Sequence, residues 1–312
     1  MKIYLAALSL FLLISCQTKE SKDQLSAHEG KIQVEGGELW YKVMGDGDGI
    51  PILTLHGGPG GTHRYFYKLS PQNEDRKVIL FDQLGSGRSD YHNDTTLMTV
   101  DHFVNQVKAV VDHLKLEGFY LLGQSWGGAL AVEYYMHHPE GIEGLILTSP
   151  LISTPRWEAD ADTLVTQLPD SLQKIVQEAN RTGEYNTPAY DKANSYYWSQ
   201  FGLRTSKKSH PMDTVEVSGN SVIYNYMWGP SEFRCTGTLK DFDRTASLSE
   251  IEVPVLFLTG EFDEARPETI DYFSSLVPNS RFEVVPASGH STLNDNPEDY
   301  NRFIKEFLSN QK

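Results

Sequence analysis

Short apolar runs of strand length alternate along most of the chain with longer stretches in which apolar residues recur every three or four positions. That alternation predicts a largely parallel sheet with helices on both faces. Residues 31–34 and 38–43 read as an antiparallel pair at the start, and 77–81 as a central strand. Residues 51–55, 119–122, 255–259 and 282–285 supply further short apolar strands. Val100, Phe103, Val104, Val107, Val111 and Leu114 fall on one face of a helix that packs on the sheet, so this stripe is core rather than a site. The pattern changes between residues 151 and 248. Helical stretches around 157–168, 171–180 and 188–201 replace the strands, and aromatic residues become dense: Tyr185, Tyr190, Tyr196, Tyr197, Trp198, Phe201, Tyr224, Tyr226 and Trp228. The predicted organisation is one α/β unit built from residues 30–150 and 249–312, interrupted by a helical insertion at 151–248.

The first residues follow another rule. Met1-Lys2 is a short positive segment, and residues 3–14 form an apolar core of secretory length, too short to span a bilayer as a helix. Residues 1–15 therefore read as a signal peptide. Leu13-Ile14-Ser15-Cys16 resembles a bacterial lipobox, which implies a diacylated Cys16 at the new N-terminus, polar residues 16–29 as a tether, and a lipid anchor in a membrane of the cell envelope.

Composition narrows the remaining possibilities. About 280 residues follow the N-terminal segment, enough for one α/β domain with an insertion. A hydrophobic share of 39% excludes disorder and repeated membrane spans. The net charge of −15 argues against a nucleic-acid partner, which selects basic surfaces. With Cys16 lipidated, Cys235 has no partner for an intramolecular disulfide and reads as a small packed residue. No metal-ligand cluster or phosphate-cradling glycine motif is visible, so no cofactor is expected.

The chemistry is carried by Gly123-Gln124-Ser125-Trp126-Gly127, a G-x-S-x-G pattern directly after the strand at 119–122 and directly before a helix. A strand that turns sharply into a helix strains the serine backbone, needs glycine on either side, and lifts the hydroxyl clear of the sheet. A serine hydroxyl is a poor nucleophile, so a base and an acid that orients it are required. His290 follows the strand at 282–285 and Asp263 follows the strand at 255–259, in the chain order of an α/β-hydrolase triad. Glu261 and Glu264 are alternative acids, and Asp263 has a competing use as the cap of a helix beginning near Pro267. His56 is the nearest rival histidine; it opens a glycine-rich loop and suits a structural hydrogen bond there. In that loop, His56-Gly57-Gly58-Pro59-Gly60-Gly61, the Gly58 N–H together with the Trp126 N–H would form an oxyanion hole. Such donors contribute roughly 3–4 kcal/mol each to transition-state stabilisation.

These motifs, with Asp82-Gln83-Leu84-Gly85-Ser86-Gly87-Arg88-Ser89 and Gly260-Glu261-Phe262-Asp263-Glu264, resemble proline iminopeptidases of the α/β-hydrolase superfamily over residues 30 to 310. The serine motif and histidine are shared with esterases and lactonases. The proline in His56-Gly57-Gly58-Pro59-Gly60, the Asp82-Gln83 pair and Trp126 are more specific. The resemblance implies an α/β-hydrolase fold with a helical cap after the sixth strand, and a serine aminopeptidase that releases an N-terminal residue, preferably proline, from short peptides. It also implies that Glu232, in Met227-Trp228-Gly229-Pro230-Ser231-Glu232-Phe233, and Glu264 bind the free amino terminus. Residues 82–89 read as a structural loop beside the site. An esterase, lactonase or amidase for an uncharged small molecule is the alternative within enzymes, and a non-catalytic binding lipoprotein the alternative outside them.

Overall fold

The computed structural model describes residues 25, 28–205 and 217–311, so Cys16 and the expected signal peptide lie outside the described residues. Eight strands form one sheet: β1 (Glu29–Val34), β2 (Gly37–Met44), β3 (Gly49–Leu55), β4 (Arg76–Phe81), β5 (Phe119–Gln124), β6 (Ile142–Thr148), β7 (Val255–Gly260) and β8 (Ser280–Val285). Their spatial order is β1-β2-β4-β3-β5-β6-β7-β8. The β1–β2 and β2–β4 pairings are antiparallel and all others parallel.

Alternation along each strand sorts side chains to two faces. Leu53, Leu55, Ile79, Phe81, Leu121, Leu145, Leu147, Val255 and Phe257 meet helices α1 (Val100–Leu114), α2 (Trp126–His137) and, later in the chain, α7 (Pro267–Leu276). Ile52, Val78, Leu80, Leu122, Ile146, Leu256 and Leu258 meet the 3-10 helix at His63–Glu74 and helix α9 (Pro297–Ser309), which follows the one-turn α8 (Thr292–Asp295) and whose Tyr300, Phe303, Ile304 and Phe307 point inward. The α1 stripe is core, as its spacing predicts: Phe103, Val104, Val107 and Leu114 are buried.

The chain leaves the sheet after β6 and returns in β7, its immediate neighbour. In between lie α3 (Thr154–Val165), α4 (Asp170–Thr182), α5 (Pro188–Tyr197) and α6 (Ser221–Met227). This insertion has a small core of its own, in which Leu164, Leu172, Val176, Tyr190, Tyr197 and Phe233 pack together. Two details differ from the sequence expectation. The helix expected to run to residue 201 ends at Tyr197 and widens into a π turn, Trp198–Gly202, a one-residue change that apolar spacing does not reveal. Helix α6 was not expected. It is only seven residues long, and it is started by the Asn220 side chain, which accepts the Val222 N–H.

Candidate active site

Ser125 stands between β5 and α2 with φ 56° and ψ −121°, a conformation that costs a side-chain-bearing residue energy and is held by its surroundings. Its N–H donates to Thr148 O at 3.0 Å, and its own carbonyl accepts the N–H groups of Gly128 and Leu151. A Cβ on Gly127 would strike the Leu55 carbonyl, and one on Gly123 the Gly127 carbonyl, so both motif glycines are required for space. Trp126 is fully buried beneath the turn, edge-to-face with Phe103.

His290, on the loop after β8, shares a 2.9 Å hydrogen bond between Nδ1 and Asp263 Oδ1. Asp263 is saturated. Its Oδ1 also accepts the Ala265 N–H, and its Oδ2 accepts Ser149 Oγ, Thr259 Oγ1 and the Gly260 N–H. The alternative acids do not meet His290 Nδ1: Glu261 accepts the Ala287 N–H, and Glu264 Oε1 lies 3.8 Å from Nε2 on the other side of the ring. His290 Nε2 is 3.1 Å from Gln124 Nε2, an amide that can only donate. A donor at Nε2 and a carboxylate at Nδ1 assign the imidazole proton to Nδ1, the tautomer of a base. Ser125, Gln124 and His290 line one cavity of about 240 Å³.

A second histidine–aspartate pair escaped the sequence reading. His63 Nδ1 and Asp82 Oδ2 are 2.7 Å apart, but both are fully buried and Tyr67 OH occupies His63 Nε2. That pair fixes the loop after β4 instead of facing the cavity.

Gly58, at φ 118°, leaves no room for a side chain, since a Cβ would meet the amides of Gly61 and Gly60 at 2.5 and 2.7 Å. It lines the same cavity as Ser125. The Trp126 N–H belongs to the first turn of α2, where helix amides have no partner within the helix. One expected oxyanion donor therefore sits on the loop after β3 and the other at the first turn of α2, next to Ser125. His56 has the structural use expected of it: Nδ1 donates to Gly57 O at 3.0 Å, and Nε2 accepts the Gln83 N–H at 3.0 Å. Burial holds its pKa below the ordinary imidazole value, which suits an accepting ring. Gln83 extends this bracket, donating from Nε2 to His56 O at 2.9 Å and accepting the Trp126 indole N–H on Oε1 at 2.9 Å.

The cavity roof is aromatic. Trp157, Trp198, Tyr224 and Trp228 line it, whereas Tyr190, Tyr197 and Phe201 pack inside the insertion. Glu232 and Glu264 enter the same cavity. Glu232 Oε2 accepts Tyr224 OH at 3.0 Å. Glu264 is 2% exposed, and among the described residues its buried Oε2 has no hydrogen-bond partner. Burial, then the negative charge of Glu232 and of Asp263, pushes the Glu264 carboxyl well above its ordinary range. Glu232 is raised by burial, opposed by the Tyr224 hydrogen bond and by His290. Gln124, Ser149, Tyr224 and Trp157 join the site without having been singled out for it. Gln124 occupies the free position of the serine motif and Ser149 the end of β6, and neither place has a residue-type signature. Cys235 is buried, as a packed residue, and unpaired among the described residues.

Residues 50–297 match the family described as alpha/beta hydrolase fold. A proline iminopeptidase of Heyndrickxia coagulans is 39% identical over 284 residues, covering 90% of this chain and 98% of the relative. One from Saccharolobus solfataricus is 33% identical and covers 91% and 93%. Among solved structures, proline iminopeptidase from Mycobacterium smegmatis superposes with a TM-score of 0.81 at 29% identity, covering 91% of this chain and 98% of its own. Fold and family match define an α/β-hydrolase, and the chain is an enzyme of that class. Within the class, it belongs to the proline iminopeptidase family.

Proposed function

We propose that this enzyme releases an N-terminal residue, preferably proline, from short peptides through an acyl-enzyme. In this reading Ser125 Oγ attacks the carbonyl of the first residue while His290 Nε2 takes the hydroxyl proton. Asp263 holds the imidazolium, and the Gly58 and Trp126 N–H groups receive the oxyanion. His290 then returns the proton to the leaving amine, and water, activated by the same ring, hydrolyses the ester on Ser125. For Ser125 to donate to Nε2, the Gln124 amide must yield the lone pair it now occupies.

The observation that carries the reading is the buried Oε2 of Glu264, unpartnered among the described residues, in a cavity that also receives Glu232 and Ser125. Such an oxygen calls for a donor, and two carboxylates beside apolar walls call for a cation. A prolyl amino terminus is a secondary ammonium with two N–H groups, one for each carboxylate, and its ring suits the indoles of Trp157 and Trp228.

The test compares a prolyl chromogenic amide, its N-acetyl counterpart and a small neutral ester. Wild type is expected to cleave the first and reject the second. Glu232→Gln and Glu264→Gln keep shape and remove charge, so each should lower kcat/KM for the free amine about 10–100-fold, equivalent to losing roughly 1.5–3 kcal/mol, while sparing the ester. Because the Glu264 carboxyl is raised, it is neutral at low pH and becomes a cation receptor as pH rises through its pKa. KM for the free amine should therefore fall with rising pH while KM for the ester stays flat. Equal cleavage of free and acetylated amides would favour a general esterase.

We also propose, from the lipobox-like Leu13-Ile14-Ser15-Cys16, export and anchoring in the cell envelope through a diacylated Cys16. Among the described residues no helix is long and apolar enough to cross a membrane. Cys16→Ser should move the full-length protein from the detergent to the aqueous phase of Triton X-114 without loss of activity. A wild type already in the aqueous phase with a free N-terminus would rule the anchor out.

A further inference from the structure

The loop that carries His290 is seated on the insertion between β6 and β7. The His290 N–H donates to Phe201 O at 2.7 Å and the Ser291 N–H to Gly202 O at 2.8 Å, both carbonyls belonging to the π turn after α5. The preceding amide, Gly289 N–H, donates to Asp295 Oδ2 at 3.0 Å. The same carboxylate accepts, on Oδ1, the N–H of Arg204 at 3.0 Å and of Thr205 at 2.6 Å, just beyond the π turn. Three consecutive amides of the histidine loop are thus fixed, two by the cap and one by a side chain that grips the cap as well. The seat is close: a Cβ on Gly289 would meet Phe201 O at 2.6 Å and Gly202 O at 2.8 Å. The imidazole itself stands edge-on to two cap indoles, Trp157 and Trp198, with ring centres 5.4 and 6.2 Å away.

An ionised carboxylate suits this junction because it only accepts, and three N–H groups converge on its two oxygens. An asparagine would turn an NH₂ group toward at least one of them. Asp295 is absent from the cavity lining, so its effect must pass through the backbone one residue before His290. Catalysis by a histidine is sensitive to displacement on the scale of 1 Å, because proton transfer requires Nε2 within hydrogen-bond reach of the nucleophile. We propose that Asp295 is a positioning residue for the hydrolytic reaction, clamping the cap at Arg204 and Thr205 to Gly289 and so setting the approach of His290 to Ser125. This rests on His290 acting as the base. It follows that the cap cannot lift at this end without carrying the histidine loop, so this part of the roof is a fixed wall.

The test uses Asp295→Asn and Asp295→Ala in the full chain, with kcat and KM measured on the free prolyl amide and on the neutral ester. Both variants should lose about 10–100-fold in kcat on both substrates, the range expected for a misplaced catalytic group, with KM little changed. Fluorophosphonate labelling of Ser125 should slow by a similar factor, and the low-field proton NMR signal of His290 Nδ1–H should shift or broaden. This pattern differs from that of the Glu232 and Glu264 variants, which affect the amine substrate alone. Folded variants with wild-type kcat, or a loss confined to KM, would overturn the proposal. Failure of both variants to fold would assign Asp295 to the fold and overturn it equally. If His290→Ala leaves Ser125 labelling unchanged, it is the assignment of the base that fails instead.

Discussion

Alanine at Ser125 or at His290 is expected to lower kcat for a prolyl amide by about 10⁶, the loss seen when one member of a unit that acts together is removed. Without Oγ there is no acyl-enzyme. Without Nε2 the hydroxyl loses the base that takes its proton. Substrate binding should survive, because the carboxylates and indoles proposed to receive the amino terminus are separate side chains. Steady-state kinetics with each purified variant, beside equilibrium binding of prolinamide, checks both parts. Turnover within tenfold of wild type in Ser125→Ala would remove the mechanism, and loss of prolinamide binding would mean that the substitution disturbs more than the reacting groups.

Asparagine at Asp263 should cost about 10⁴ in kcat, the scale of a triad acid replaced by its amide. The environment explains why no orientation of the new side chain escapes. If its NH₂ takes the place of Oδ1, it faces the Ala265 N–H and donates to His290 Nδ1, which drives the imidazole proton to Nε2 and abolishes the base. If it takes the place of Oδ2, the hydroxyls of Ser149 and Thr259 can rotate to accept, but the Gly260 N–H cannot. The second orientation preserves the tautomer but still removes the charge that stabilises the imidazolium, and it sacrifices one buried backbone donor, at about 1–3 kcal/mol of stability. The low-field Nδ1–H signal of His290, measured alongside kcat, separates the outcomes, because only the second orientation keeps that proton on Nδ1. A kcat close to wild type would mean that Asp263 does not orient His290.

Much of this architecture was readable because strands and helices repeat locally. Residues 119–122 and 255–259 are apolar runs that end in glycine-bearing turns, and Ser125 and Asp263 lie just past their carboxyl ends, where an α/β sheet opens its crevice. The loop at 56–61 announced itself through glycines that the structure has no space to replace. What stayed hidden is what forms between elements distant in sequence. Ser149 reaches Asp263 across 114 residues and does so from a positive φ, which nothing in its neighbourhood announces. Asp295 looks like an ordinary surface acid until residues 201–205 are folded against it. The π turn differs from α-helix by one residue per turn, and aromatic residues at helical spacing give no sign of which ones face a cavity. Asp82 and His63 make a second pair whose chemistry is silenced by burial, a distinction that spacing does not contain.

The side chain of Gln83 makes three separate stretches of sequence into one physical object. With one amide it holds the carbonyl that precedes the oxyanion loop and the indole that follows the nucleophile, and its own backbone N–H closes on the His56 ring. Heredity therefore meets these stretches as a single character. Trp126 exchanged alone leaves a buried amide oxygen unpaired, and Gln83 exchanged alone leaves the indole N–H and the His56 carbonyl without partners. A lineage drifting toward other chemistry would have to alter all three together or pass through a less stable intermediate.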